Sequence, residues 1–354
     1  MQITDKIQKA LKQNEAAIIT SPVSCKYLSG FNISDAVILI TKNKAVLFAD
    51  SRYVEAARNN VSLLEVELLS GLKSVKELLD KEKITAAYVE TDFITLDRFA
   101  AYRKALDIKL YKKSKITTLL RKNRAVKSKE EVKCIKTAQR IAEKAFLHIL
   151  KFIKVGVTER EIAVELEGFM KKNGAEDISF ATIAVSGKNT SLPHGEPGEK
   201  RVESGDFVTL DFGAVVGGYH SDMTRTIAVG KITDEQRRVY NTVLEAQCAA
   251  IGAIKSGKKC AEIDKIARDI IANAGYGECF GHALGHSVGL GIHEAPNLSP
   301  KERASLKCGM VLTVEPGIYI ENRFGVRIED MVRVTRGGCE NLTKATKELI
   351  VLDA

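Results

Sequence analysis

The chain has 354 residues, 45% of them hydrophobic, and carries 54 Lys and Arg against 45 Asp and Glu, a formal net charge of +9. That length predicts two or so domains with ample cores, and no run approaches the roughly 18–20 apolar residues that a bilayer span needs, so no membrane partner is expected. Met1-Gln-Ile-Thr-Asp-Lys6 has no basic segment leading into an apolar run, which predicts a cytoplasmic chain without a secretory leader. The seven cysteines are odd in number and contain no Cys-x-x-Cys pair, which argues against both a disulfide framework and a thiolate zinc site.

Residues 1–122 alternate strand-like runs (Ala16 to Ile19, Ala36 to Ile40, Ala45 to Phe48, Ala86 to Val89) with helical ones (Tyr53 to Arg58, Val75 to Lys81, Leu96 to Leu106). This pattern with short connections predicts a small α/β domain. Between Arg103 and Lys133 lie twelve Lys or Arg and three acids, a surplus equal to that of the whole chain. Its single aromatic, Tyr111, leaves it without the interleaved stacking residues of a single-strand binder, so a solvated domain boundary is expected and nucleic acid is not.

A second domain, residues 123–354, is predicted to be α+β. Ser128-Lys-Glu-Glu131 opens a long amphipathic helix with a capping box, and Thr158 with Glu161 does the same for a helix running to Lys172. A strand pair follows, Asp206 to Gly213 and Tyr219 to Val229, joined at Gly217-Gly218. Thr233-Asp-Glu-Gln236 begins a third helix, Cys260 to Ala274 forms a fourth, and a second strand pair follows, Val311 to Ile320 and Val326 to Val334 around a loop Glu321 to Gly325. Two helices and a hairpin therefore occur twice, which predicts a duplication about a pseudo-twofold axis.

The hairpins carry the chemistry. Alternation along the strands and pairing across a two-residue turn put Asp211 and Asp222 on one face, within about 8 Å. An odd loop centred near Asn322 does the same for Glu315 and Glu329, with Arg327 on that face too. Asp211 and Glu315 lie in mostly apolar runs, and buried carboxylates are seldom left without a partner or a metal. Four of them converging would repel strongly, and two divalent cations would neutralise them. Five of the six histidines fall between 194 and 293, including His282, His286 and His293 in a glycine-rich stretch. His148, on a helix, has no expected catalytic part, and for His220 and His282 a merely structural role is equally open. On one straight strand His286 and His293 would point oppositely, so both reach the centre only if Gly289 or Gly291 bends the chain. Oxygen ligands with one imidazole suit Mn²⁺, Co²⁺ or Fe²⁺ and tolerate Zn²⁺.

The set Asp211, Asp222, His286, Glu315 and Glu329 resembles the metallopeptidase family of methionine aminopeptidase, aminopeptidase P and prolidase. The matching stretches are Leu210-Asp-Phe-Gly213, Tyr219 to Thr226, His282 to Gly289, His293-Glu-Ala-Pro296, Thr313 to Gly317 and Gly325 to Asp330. Tyr27 to Phe31 and Ala49 to Tyr53 resemble the creatinase/prolidase N-terminal domain. The resemblance implies a duplicated pita-bread catalytic domain at 123–354, a smaller N-terminal domain at 1–122, and a homodimer. It also implies two divalent metal ions, Mn or Co first and Zn or Fe next, with Asp211 on one ion, His286 and Glu315 on the other, and Asp222 and Glu329 bridging. Glu315 would shuttle protons, His293 and His194 would donate to the scissile carbonyl, and Arg327 would orient substrate or carboxylates.

The reaction implied is hydrolysis of the bond before proline in a peptide with proline second, led by an Xaa-Pro aminopeptidase reading with Xaa-Pro dipeptidase as the alternative. Asn297 stands where several dipeptidase relatives carry a cation that could meet a dipeptide's carboxylate. A metal-free creatinase-like enzyme or a non-catalytic binding protein would have lost ligands that all stand here. A methionine aminopeptidase-like enzyme usually lacks the first domain.

Overall fold

Apolar runs without alternation mark strands covered on both faces. In the computed structural model, which describes residues 2–354, the first unit is built on such strands and ends at Arg124. Its order is α1 (Ile3–Ala10), β1 (Glu15–Ile19), α2 (Pro22–Ser29), β2 (Ala36–Ile40), β3 (Ala45–Ala49), α3 (Val54–Asn60), β4 (Glu65–Leu68), α4 (Leu72–Lys81), β5 (Ala86–Val89), α5 (Leu96–Leu106), β6 (Lys109–Tyr111) and α6 (Lys115–Ala125). One mixed sheet runs β4-β3-β2-β1-β5-β6. Ala17 and Ile19 of β1 pack with Leu28 and Leu120, whereas Ala16 and Ile18 pack on the other face with Leu79 and Leu106.

The division between the two units, Arg124 to Ala125, falls within the basic stretch, yet that stretch is not a solvated connection. Much of it is folded into β6 and α6, where Ile116 and Leu120 enter the core and Lys115 reaches the buried Glu15 carboxylate at 3.1 Å. Tyr88 and Tyr111 donate to the same carboxylate. Two apolar positions a helical turn apart were enough to seat α6, and the cations that obscured them stay in water.

The second unit begins at Ala125. It contains α7 (Lys129–Ile149), α8 (Glu159–Lys172), β7 (Asp177–Ile178), β8 (Ile183–Ser186), β9 (Phe207–Phe212), β10 (Ala214–Val216), β11 (Tyr219–His220) and β12 (Met223–Val229). Then come α9 (Asp234–Ala253), α10 (Cys260–Asn273), β13 (Gly285–Ser287), β14 (Glu294–Leu298), β15 (Val311–Val314), β16 (Gly317–Ile320), β17 (Phe324–Arg327), β18 (Asp330–Val334), β19 (Cys339–Asn341) and β20 (Val351–Leu352). Capping boxes at Ser128, Thr158 and Thr233 start α7, α8 and α9. Helices α7 and α8 share a core with the sheet β20-β12-β9-β8 through Phe146, Leu166, Leu210 and Phe212. Helices α9 and α10 share another with β14-β13-β15-β18-β19 through Val243, Ile263, Leu312 and Val332. The twofold order of helix pair and sheet is thus present in space. No helix among the described residues is long and apolar enough to cross a membrane.

Each expected hairpin keeps one register but divides between two sheets. In the first, β9 pairs with β12 and β10 with β11 around Gly217-Gly218, both at positive φ as a two-residue hairpin turn requires. The second pairs β15 with β18 and β16 with β17 around Glu321–Arg323, a loop shorter than predicted, with Asn322 at φ +58°. Gly213 marks the first division, since a Cβ there would lie 1.9 Å from the Ser221 carbonyl oxygen.

That contact predicts that Gly213→Ala destabilises the protein by about 1–3 kcal/mol in urea unfolding. Gly168→Ala is the control: at this site within α8 nothing beyond the adjoining residues and the helix's own backbone lies within 4 Å of where the alanine methyl would stand, so the substitution should stabilise by about 0.5–1 kcal/mol. Equal midpoints for the two variants would refute the close-approach reading of Gly213.

Candidate metal centre

The divided hairpins bring the four expected carboxylates together, and β13 adds His286 beside them. Asp211 lies on β9 opposite Thr224, which puts Asp222 one diagonal step away. Glu315 and Glu329 fall between the pairs Val314–Asp330 and Gly317–Arg327, as direct opposites. Carboxylate oxygens of Asp211, Asp222 and Glu329 lie within 4.8 Å of one another. His286 Nε2 stands 3.6 Å from Asp222 Oδ2 and 3.4 Å from Glu315 Oε1.

His286 and His293 meet by a different route from the one expected. The chain does not continue as one bent strand; it folds back, β13 pairing with β14, with a register shift at His286 and Ser287. The two rings sit edge to face at 4.4 Å. His286 Nδ1 is 3.2 Å from the Ser287 carbonyl, so that nitrogen carries the proton and Nε2 offers its lone pair. Burial first, then His293, lowers the His286 pKa to about 4, so the ring is neutral and fit to bind a cation.

Each remaining oxygen bears on whether a cation fits. Asp211 Oδ2 accepts from Arg327 Nη2 at 2.6 Å and Glu329 Oε2 from the Thr224 hydroxyl at 2.8 Å. Their other oxygens, Asp211 Oδ1 and Glu329 Oε1, are buried without any hydrogen-bond partner. Such orphaned acceptors are costly, and a divalent cation would satisfy both. Burial, followed by Glu329, Asp211 and Glu315, pushes the Asp222 carboxyl well above the usual range. Burial, then Glu315 and Asp211, does the same to Glu329, and burial lifts Glu315 to about 7. The residues present therefore fit the implied metal ions.

A cavity of about 460 Å³ opens over this cluster, with His194, His282, His293, Asn297, Tyr319 and Arg327 among its walls. Arg327 is 4% exposed, so it is no surface arginine. Besides Asp211, it donates to the Tyr319 hydroxyl at 2.8 Å and to Thr224 Oγ1 at 3.2 Å. His282 Nε2 is 3.0 Å from the same Tyr319 hydroxyl, and burial lowers its pKa to about 4. His220 pairs with Ser179 instead, and His148 stacks on Phe169. Tyr319 was not anticipated, although alternation from Glu315 puts it on the same face. Thr224, two residues from Asp222, was missed for want of any charge to mark it.

Residues 133–336 match metallopeptidase family M24, and residues 4–126 match the creatinase/prolidase N-terminal domain. The chain is similar to the solved Xaa-Pro dipeptidase from Bacillus anthracis, with 42% identity, 99% of each chain covered and a TM-score of 0.95. It is 39% identical to the Xaa-Pro dipeptidase of Pyrococcus furiosus over 98% of this chain and 99% of that protein. The solved X-Pro aminopeptidase from Thermotoga maritima is 38% identical, with 98% of this chain and 99% of that one covered and a TM-score of 0.90.

In the metal-free protein the raised carboxyl pKa values have a definite sign. Groups whose pKa is higher folded than unfolded favour the folded state at low pH, and that contribution is lost as pH rises through about 7, the Glu315 value. In EDTA the melting temperature should therefore fall between about pH 6.5 and pH 8, above the range in which the buried neutral His282 and His286 act in the opposite sense, and saturating Mn²⁺ should raise it most at the upper end. A melting temperature in EDTA that does not fall over this range would show that the acids are not packed against one another as described.

Proposed function

Because the chain belongs to metallopeptidase family M24 and has the pita-bread fold with a creatinase-like N-terminal domain, we propose that it is an Xaa-Pro dipeptidase working with two divalent cations. The carrying observation is the pair of buried, partnerless oxygens on Asp211 and Glu329 inside a cluster of four carboxylates and one neutral imidazole. The aminopeptidase reading that led the sequence analysis gives way here to its alternative, since prolidases recur among the similar proteins.

Asp211, Asp222, His286, Glu315 and Glu329 would hold the cations, and their mostly oxygen donor set favours Mn²⁺ or Co²⁺. Bound there, the ions supply Lewis-acid polarisation of the scissile carbonyl and ease loss of a proton from water near neutral pH. The chain's own groups do the rest. Glu315 faces the cavity and accepts from Thr313 Oγ1 at 2.9 Å, so its carboxylate is held to take a proton from water and pass it to the leaving prolyl nitrogen. His293 and His194, both on the cavity wall, donate to the carbonyl oxygen as negative charge grows on it. Arg327 fixes Asp211 and Tyr319, which keeps the carboxylate's free oxygen turned inward.

A prolyl nitrogen has no hydrogen, and its ring fixes φ, so a substrate with proline second cannot bind as an ordinary extended strand. A dedicated cavity solves that problem. Asn297, on β14 opposite His286, offers amide N–H donors to a carboxylate following proline in place of the cation expected of a dipeptidase.

With Mn²⁺ or Co²⁺ supplied, kcat/KM for Ala-Pro should exceed that for Ala-Pro-Ala by at least about tenfold. Equal or faster turnover of the tripeptide would restore the aminopeptidase reading, and cleavage of Met-Ala-Ser without Met-Pro would indicate a methionine aminopeptidase. Asp222→Ala should cut Ala-Pro hydrolysis by more than about a hundredfold, whereas Asp269→Ala, exposed on α10 and paired only with Lys265, should leave it unchanged.

A further inference from the structure

We propose that Arg225 is a positioning residue for Glu329, and that through it the Ala345–Lys347 segment governs how tightly the centre holds its cations. This rests on the reading of Glu329 as a ligand. Arg225 leads the largest fully buried side chains, at 1% exposure, and it points away from the cavity because Thr224 and Thr226 point towards the cluster. Burying a guanidinium costs several kcal/mol unless its donors are met. All five N–H donors are met here. Nε donates to the Thr346 carbonyl at 2.7 Å, Nη1 to the carbonyls of Thr224 and Glu329, and Nη2 to Asp330 Oδ1 and the Ala345 carbonyl at 2.8 Å.

The Glu329 carbonyl is the informative partner. Glu329 lies in the gap between β17 and β18, and its opposite residue, Glu315, sends its own N–H to the Leu284 carbonyl. The hairpin ladder therefore does not hold this peptide. Two bonds to β12 replace it: the Glu329 N–H donates to the Thr224 carbonyl at 3.1 Å, and its C=O accepts from Arg225. Arg225 is in turn oriented by Asp330, whose second oxygen accepts from Asn341 at 2.8 Å and from Lys347 at 2.9 Å. Residues 341–347 are absent from the cavity wall, yet they set the backbone from which Glu329 projects. A shift of about 1 Å in a supporting shell is enough to loosen a metal site.

Calorimetric titration of EDTA-stripped protein with Mn²⁺ provides the test, alongside melting of the stripped protein. Arg225→Lys keeps a positive charge for Asp330 but loses the planar fork. It should weaken Mn²⁺ binding by about 10–100-fold, with KM for Ala-Pro nearly unchanged once Mn²⁺ is saturating. Lys347→Met, a milder and partly exposed change, should weaken binding by a smaller factor in the same direction. A lower melting temperature with an unaltered Mn²⁺ isotherm in either variant overturns the proposal, because a merely structural residue would behave so. Should Arg225→Lys fail to fold, the Lys347→Met isotherm decides. A wild-type protein that binds no Mn²⁺ overturns the ligand reading itself, and this inference with it.

Discussion

Uncompensated negative charge at one buried point is the constraint on which the catalytic unit depends. Asp211, Asp222, Glu315 and Glu329 converge where the guanidinium of Arg327 is the cation among the cavity walls, and His286 is neutral. Three negative charges remain without an answer. At the short distances between these groups, even an effective dielectric of about 20 makes like-charge repulsion several kcal/mol per pair. One divalent cation would leave a negative charge over, whereas a pair would cover all three. Without ions, burial first and repulsion among the acids second keep protons on the cluster, so the Asp222, Glu315 and Glu329 carboxyls all titrate above their ordinary range.

A cluster of this kind persists only where the surroundings over-determine it. Here the strands provide that rigidity by exchanging bonds between the two halves. Strand β12 belongs to the first half, yet the Thr224 carbonyl accepts from Glu329 N–H, the Thr224 hydroxyl binds Glu329, and Thr226 Oγ1 bonds both the N–H and the C=O of Arg327. The first hairpin opens its ladder at Asp222, with Asp211 still paired opposite Thr224, and the second opens at Glu315 and Glu329. At the second break the Glu329 N–H and C=O turn to β12 of the opposite half, so that peptide is a joint of the site, while the Glu315 N–H turns to the Leu284 carbonyl of its own half.

Much of this was legible from the residues. Alternation and turn parity put the four acids on shared faces, because both hairpins keep one register from end to end. Capping boxes at Ser128, Thr158 and Thr233 marked helix starts within a residue. The splitting of each hairpin between sheets was not legible, since it depends on bonds between segments about a hundred residues apart, such as Thr224 with Glu329. Helix α6 was hidden by its own cations. Arg225 carried no expected role, because its five acceptors come from three separate stretches of chain. The short helix α2, mostly small and polar, has too little periodic apolar content to announce itself.

The same geometry explains why an arginine suits position 327 and a lysine would not. Its fork spans Asp211 Oδ2, the Tyr319 hydroxyl and Thr224 Oγ1 at once, tying one carboxylate of the first half to a wall of the cavity and to β12. An ammonium could neutralise Asp211 but could not hold three acceptors in a plane. By occupying Oδ2, the guanidinium leaves Oδ1 as the free acceptor of Asp211, and Thr224 does the equivalent for Glu329 by occupying Oε2. Each of these two carboxylates is thereby reduced to one available oxygen with its direction fixed before any cation arrives. A pre-oriented donor costs little reorganisation on binding, so the network around the acids, as much as the acids themselves, makes the cluster a metal site rather than a repulsive defect.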